Sequence, residues 1–150
     1  MSEIEIKLAA GTDVGLVRKN NEDNFVVNRD LSQSEWIIPQ SSETIPLGKY
    51  GTLLVVADGM GGTNAGEVAS AIAIETVQNA FTPEKLDKIV TFEGEMATEE
   101  AIEEFLTKTI KAADLNIVNA SKEDSSTQGM GTTIVIAWIL NEKAYILSLI

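Results

Sequence analysis

The chain has 150 residues, 44% of them hydrophobic and 23% charged, with a net charge of −12 and no cysteine or histidine. That length and balance fit one soluble globular domain with a sizeable core, and the acidity argues against nucleic acid, whose phosphates are held by clustered Lys and Arg. Without Cys or His there is no thiolate nucleophile, histidine base or disulfide framework. Hydrolytic chemistry would have to run on carboxylates, water and hard, oxygen-loving ions such as Mg²⁺ or Mn²⁺.

The start, Met1-Ser2-Glu3-Ile4-Glu5, has neither the basic residues nor the apolar stretch of a signal peptide, and no apolar run approaches the roughly 20 residues that span a bilayer. A cytoplasmic protein is the expectation. Ile4 to Ala10 alternates as a half-buried strand does. Gly11 to Asn21 is rich in glycine and polar groups, and Phe25-Val26-Val27 resumes a strand. Leu31 to Tyr50 is irregular, with Pro39, Pro46 and Gly48 marking loop. Leu53-Leu54-Val55-Val56-Ala57 is continuously apolar, as in a strand buried on both faces, and it ends at Asp58-Gly59-Met60-Gly61-Gly62.

A helix is predicted from about Gly66, with Val68, Ile72, Val77 and Phe81 near helical spacing and Pro83 closing the segment. A second begins near Thr98, where Thr98-Glu99-Glu100 supplies a cap and first-turn acids. Its apolar stripe is Ile102, Phe105, Leu106, Ile110, Ala113, Ile117 and Ala120. After a polar turn region from Ser121 to Gly131, Thr132 to Leu140 and Ala144 to Ile150 read as a hairpin turning at Asn141-Glu142-Lys143. Strands, two helices, then strands predict an α+β fold with antiparallel sheet. The final apolar strand stops without turn, cap or polar tail, so the expectation is truncation or an edge covered by another chain.

Three short segments carry chemistry. Arg18-Lys19-Asn20-Asn21-Glu22-Asp23 places a guanidinium, whose planar donors suit a phosphate, four residues before adjacent carboxylates. Alone, it is better explained as a solvated, structurally silent loop. Asp58 ends an apolar strand, where a carboxylate is costly unless paired or bound to a metal, and Gly59 lets a backbone carbonyl approach an ion. A tight turn whose Asp bonds nearby amides is the plain alternative. Gly59-Met60-Gly61-Gly62 before a helix also resembles a dinucleotide-binding loop, but Asn64 stands where the third small residue belongs and Asp58 would repel a pyrophosphate. Gly129-Met130-Gly131-Thr132-Thr133 entering a β-branched strand is sufficiently explained as a turn before a core strand.

Taken together, these residues carry a family resemblance. Thr12-Asp13-Val14-Gly15-Leu16-Val17-Arg18-Lys19-Asn20-Asn21-Glu22-Asp23 resembles the opening motif of PPM-type (protein phosphatase 2C) enzymes of the compact bacterial kind. Val55-Val56-Ala57-Asp58-Gly59-Met60-Gly61-Gly62, with Gly66-Glu67-Val68-Ala69-Ser70 after it, is similar to the second motif, and Met130-Gly131-Thr132-Thr133 to the third.

The resemblance implies a β-sandwich of antiparallel sheets flanked by helices, in α-β-β-α layers. It also implies one-step hydrolysis of phosphoserine and phosphothreonine by a metal-activated water at a two-ion Mn²⁺ or Mg²⁺ centre. Asp58 would bridge the ions and the Gly59 carbonyl would ligate one of them. Glu22 and Asp23 would act through water, Asp23 orienting the nucleophile, and Arg18 would bind the substrate phosphate. Partners would be phosphoproteins and a cognate Ser/Thr kinase.

The family's remaining aspartates fall in later motifs, so residues 1–150 are expected to be the N-terminal part of a single domain, C-terminally incomplete. Such a piece is expected to be weakly active or inactive, marginally stable, and prone to self-association through its unfinished last strand. The alternative is a non-catalytic pseudophosphatase that binds phosphoproteins.

Overall fold

Four apolar segments build one antiparallel sheet, whose inner face packs against the two longest helices. The computed structural model describes residues 3–62, 65–92, 95–96 and 98–149. Within these, the strands are β1 (Glu5–Leu8), β2 (Asp23–Asn28), β3 (Glu43–Pro46), β4 (Thr52–Met60), the two-residue β5 (Thr91–Phe92) and β6 (Glu95–Met96), β7 (Gly131–Leu140) and β8 (Lys143–Leu149). The helices are α1 (Ala65–Ala80), α2 (Pro83–Val90) and α3 (Glu99–Glu123). The α+β class is as expected. Asn64 and Ile150, which figured in the sequence reading, lie outside the described residues.

The main sheet runs β2-β4-β7-β8, antiparallel throughout. Leu53, Val55 and Ala57 of β4 and Ile134, Ile136, Trp138 and Leu140 of β7 are buried together with α1 and α3 residues. Burial of β4 on both faces does not hold. On its other face Leu54 is only partly buried, and Val56 is 53% exposed. A second, two-stranded sheet, β1-β3, belongs with that face: Leu8 and Ile45 cluster with Val27, and Ile6, Ile37 and Leu54 pack against them. The neighbouring outward positions, Val56, Val135 (43% exposed) and Ile146 (70% exposed), are left uncovered in the chain.

Of the residues whose spacing predicted helix α1, Val77 and Phe81 are buried and Ile72 packs against the core, but most of the buried face is made of small residues. Ala65, Ala69, Ala73 and Val77, with Gly66, Ser70 and Ile74, are its buried residues, whereas Val68 is exposed. Small side chains let this helix lie close to β4. The α3 stripe agrees with its periodicity: Ile102, Leu106, Ile110, Ala113 and Ile117 are buried, and the Thr98 hydroxyl caps the helix by accepting from the Ala101 amide at 3.2 Å.

The sequence reading missed the short β5–β6 pair and, more consequentially, α2 and β3. Pro83 opens a helix rather than closing one: α2 begins at it, and the amides of Lys85 and Leu86 donate to the Thr82 carbonyl. Proline is well placed at a first helical position because that N–H would lack a partner anyway. Strand β3 lies inside the stretch read as loop; it buries only Ile45 fully, and Arg29, just past the end of β2, donates to its Glu43 at 3.0 Å.

Phe81, Phe105 and Trp138 meet edge to face, with centroids 5.0–6.0 Å apart, where α1, α3 and β7 converge. The β7–β8 hairpin closes over Asn141 and Glu142, Leu140 pairing with Lys143 and Asn141 adopting φ 54°. Asparagine tolerates that left-handed backbone, which favoured two-residue turns require.

Candidate active site

The three motifs converge where β2 begins, β4 ends and α1 starts. In the sheet register Asp23 pairs with Asp58, and on the other side of β4 Thr133 pairs with Asp58, Thr132 with Gly59 and Gly131 with Met60. Direct cross-strand partners share a face, so the two carboxylates stand side by side. Both residues are exposed.

Their proximity has an electrostatic signature. The Asp23 carboxyl is held above its ordinary value, first by partial loss of water around it and then by the Asp58 charge and a hydrogen bond with Asp58; Arg18 pulls weakly the other way. Arg18 is largely exposed, with Nη1 3.6 Å from Oε2 of Glu22, whose own side chain is mostly buried.

Two glycines make the convergence possible. A Cβ on Gly59 would sit 2.1 Å from the Gly66 carbonyl oxygen and 2.8 Å from that of Glu22. A Cβ on Gly66 would sit 2.8 Å from Cδ of Glu22 and 2.9 Å from the Gly59 carbonyl carbon. Any side chain at either position would push α1 off the end of β4 or push Glu22 away. The Gly59 amide donates to the Glu22 carbonyl at 3.2 Å. Gly59 and Met60 lie inside β4 rather than in a strand-to-helix loop, so this segment does not present free amides to a pyrophosphate as a dinucleotide loop does.

Sequence reasoning singled out Arg18, Glu22, Asp23, Asp58 and Gly59, and the structure gathers them in one neighbourhood. It did not find the residues that brace them. Asn21 Oδ1 accepts from the Asp23 amide at 3.1 Å, and its Nδ2 donates to Thr12 Oγ1 at 2.7 Å. Thr132 Oγ1 lies within hydrogen-bond distance of the Asp58 carbonyl at 2.9 Å and of the Thr133 carbonyl at 2.8 Å, and Ser70 Oγ donates to the Glu22 carbonyl at 2.9 Å. Each lay within a quoted motif, but a hydroxyl or amide that bonds a distant carbonyl carries no periodic signal.

The donor set is all oxygen, which suits Mg²⁺ or Mn²⁺ rather than a soft metal. In number it falls short of a cage: among the described residues no group of three or more Asp and Glu side chains is close enough to hold an ion. The Asp23–Asp58 pair by itself is not a complete cation site.

A family model described as protein phosphatase 2C matches residues 46–149. The chain is 33% identical over 135 residues to the serine/threonine phosphatase stp of Listeria monocytogenes, covering 90% of this chain and 43% of that protein. Among solved structures, a bacterial serine phosphatase superposes with a TM-score of 0.66 at 24% identity over 99% of this chain and 48% of its own. The serine/threonine phosphatase Stp1 of Staphylococcus aureus gives 0.60 at 25% identity, over 97% of this chain and 46% of its own. The chain thus spans less than half the length of the curated relatives it matches. With that match over most of its residues and the same fold in the solved phosphatases, the chain belongs to the protein phosphatase 2C family.

Proposed function

We propose that residues 1–150 are the N-terminal part of one phosphatase domain that hydrolyses phosphoserine and phosphothreonine on proteins. The observation that carries this reading is the Asp23–Asp58 pair, two carboxylates opposed across β2 and β4 in a chain of the protein phosphatase 2C family, whose members are metal-dependent in general. Like charges placed opposite each other cost stability in an empty protein and become useful when a cation lies between them.

In this reading the carboxylate of Asp58 and the carbonyl of Gly59 hold Mn²⁺ or Mg²⁺ directly, while Glu22 and Asp23 act through water. When bound, such ions supply an activated water and neutralise charge building on phosphoryl oxygens. Asp23 accepts a hydrogen bond from the attacking water and fixes its direction. Arg18, exposed on its loop, reaches the substrate phosphate with paired donors. A phosphoprotein from a cognate Ser/Thr kinase is the proposed substrate, in kinase-opposed signalling. No helix among the described residues is long and apolar enough to cross a membrane, and a cytoplasmic site is proposed with the rest.

A second reading concerns this chain by itself. Because no group of three or more Asp and Glu side chains among the described residues is close enough to hold an ion, it acts as a weakly active or inactive piece, or as a module that binds phosphoproteins without turnover. Metal-site groups act as a unit, so an incomplete set loses most activity rather than a share of it. The exposed outward residues of β4, β7 and β8 favour self-association of such a piece.

Hydrolysis of a phosphothreonine peptide with and without Mn²⁺ tests both readings, run on this chain, on the parent polypeptide and on Asp58→Ala in each. Turnover by the parent that requires Mn²⁺ and Asp58 supports the phosphatase. Mn²⁺-dependent turnover by the 150-residue chain would refute its inactivity.

A further inference from the structure

The peptide unit joining Glu22 to Asp23 is held at both of its polar ends. Its carbonyl, that of Glu22, accepts from the Gly59 amide at 3.2 Å and from Ser70 Oγ at 2.9 Å. Its N–H, that of Asp23, donates to Asn21 Oδ1 at 3.1 Å. A peptide unit is planar, so fixing both ends fixes where the Asp23 Cα lies; the pairing of Asp23 with Asp58 in the β2–β4 register restricts rotation about its N–Cα bond, and together these set the direction in which the Cα–Cβ bond leaves the backbone. That direction decides how the Asp23 carboxylate stands against Asp58.

Ser70 is the member of this clamp contributed by helix α1. It is 1% exposed and 48 residues from Glu22 in sequence. A serine inside a helix ordinarily satisfies its hydroxyl on its own preceding turn, and the Glu67 carbonyl is available to it at 3.1 Å. A hydroxyl has one proton, and here a second acceptor from another element lies closer. Alanine would be the better helix former at this position, so helix formation alone does not call for serine.

We infer that Ser70 is a positioning residue: its hydroxyl, through the Glu22 carbonyl, orients Asp23 toward Asp58 and so sets the affinity of the cation site. The inference rests on the metal reading of Asp23 and Asp58 but makes a separate structural claim.

The test compares Ser70→Ala and Ser70→Thr in the 150-residue chain. It measures Mn²⁺ affinity by electron paramagnetic resonance and backbone amide exchange by NMR. In Ser70→Ala, Mn²⁺ affinity falls about tenfold, the usual scale for removing a support behind a metal ligand. Exchange at the Gly59 amide, which shares the Glu22 carbonyl, speeds about threefold. The amides of Ile134 and Ile136 in the sheet core do not change. Ser70→Thr keeps the hydroxyl and restores both values, and Asn21→Ala, which frees the other end of the same peptide, reproduces both losses if the extra methyl of threonine does not fit.

Unchanged Gly59 exchange in Ser70→Ala, or an equal rise at Ile134 and Ile136, overturns the inference. If the wild-type chain binds no Mn²⁺, the metal reading fails, and Gly59 exchange still confirms or overturns the clamp.

Discussion

Asp23 and Asp58 are direct cross-strand partners in the β2–β4 register, Asp23 opening β2 and Asp58 lying two residues before the end of β4 at Met60. Ordinary sheet design avoids like charges at such a pair. Keeping them is costly in the empty protein and fits a site whose occupant is a cation.

The pH dependence of stability should show that cost. The Asp23 carboxyl titrates above its ordinary 3.8 in the folded chain, so the folded state holds a proton that the unfolded state has released. Stability from this group is therefore lost as pH rises from about 4 through the raised value. Urea denaturation in EDTA at several pH values should show wild type losing stability relative to Asp23→Asn on going from about pH 4 to neutral. A difference that stays flat or grows in favour of wild type would contradict the assignment.

The close approach of Gly59 to Gly66 leaves no room for a methyl group. Gly59→Ala places a Cβ 2.1 Å from a backbone oxygen, which cannot swing aside as a side chain can. Overpacking of this kind costs about 3 kcal/mol. Gly62→Ala, with nothing within 4 Å of the added carbon, should change stability by less than about 0.5 kcal/mol. Chemical denaturation of the two variants gives the comparison.

Trp138 is fully buried and donates from Nε1 to the Tyr50 carbonyl at 2.8 Å, joining β7 to the turn before β4. Trp138→Phe keeps much of the edge-to-face packing with Phe81 and Phe105 but leaves that carbonyl without its donor. A loss of about 2 kcal/mol is expected from the orphaned acceptor and the lost ring volume. A thermal melt unchanged from wild type would show that the bond carries nothing.

Ile146 is 70% exposed on β8, on the same outward face as Val56 and Val135. If this face drives self-association, Ile146→Glu should shift sedimentation toward monomer. It should cost the monomer little, because the side chain buries little to begin with. Identical sedimentation of wild type and variant would remove this face as the contact.

Much of this was legible in the sequence, for reasons that differ by element. The β-branched, apolar run of β7 and the capped, periodic α3 are strong local signals, and both elements fall where those signals put them. Strand β3 was hidden because Glu43-Thr44-Ile45-Pro46 buries a single side chain and ends on proline. Helix α2 was hidden because Pro83 was read as a stop, although the following Leu86 and Val90 are the buried i,i+4 pair. The exposure of Val56 could not be read from an apolar run, because burial depends on what lies across the sheet. At the site, the residue types of Asp23 and Asp58 were readable while their pairing was not. That register is set by the way β2 lies along β4, and the supporting bonds of Asn21, Ser70 and Thr132 are contacts between elements distant in sequence or around a bend.

The central claim is that Asp23 and Asp58 together hold a divalent cation, and the most direct measurement is a Mn²⁺ titration of this chain followed by electron paramagnetic resonance. The account predicts binding by the wild-type chain that weakens at least about tenfold in Asp58→Ala. Absence of binding in wild type, or equal binding in Asp58→Ala, would contradict it.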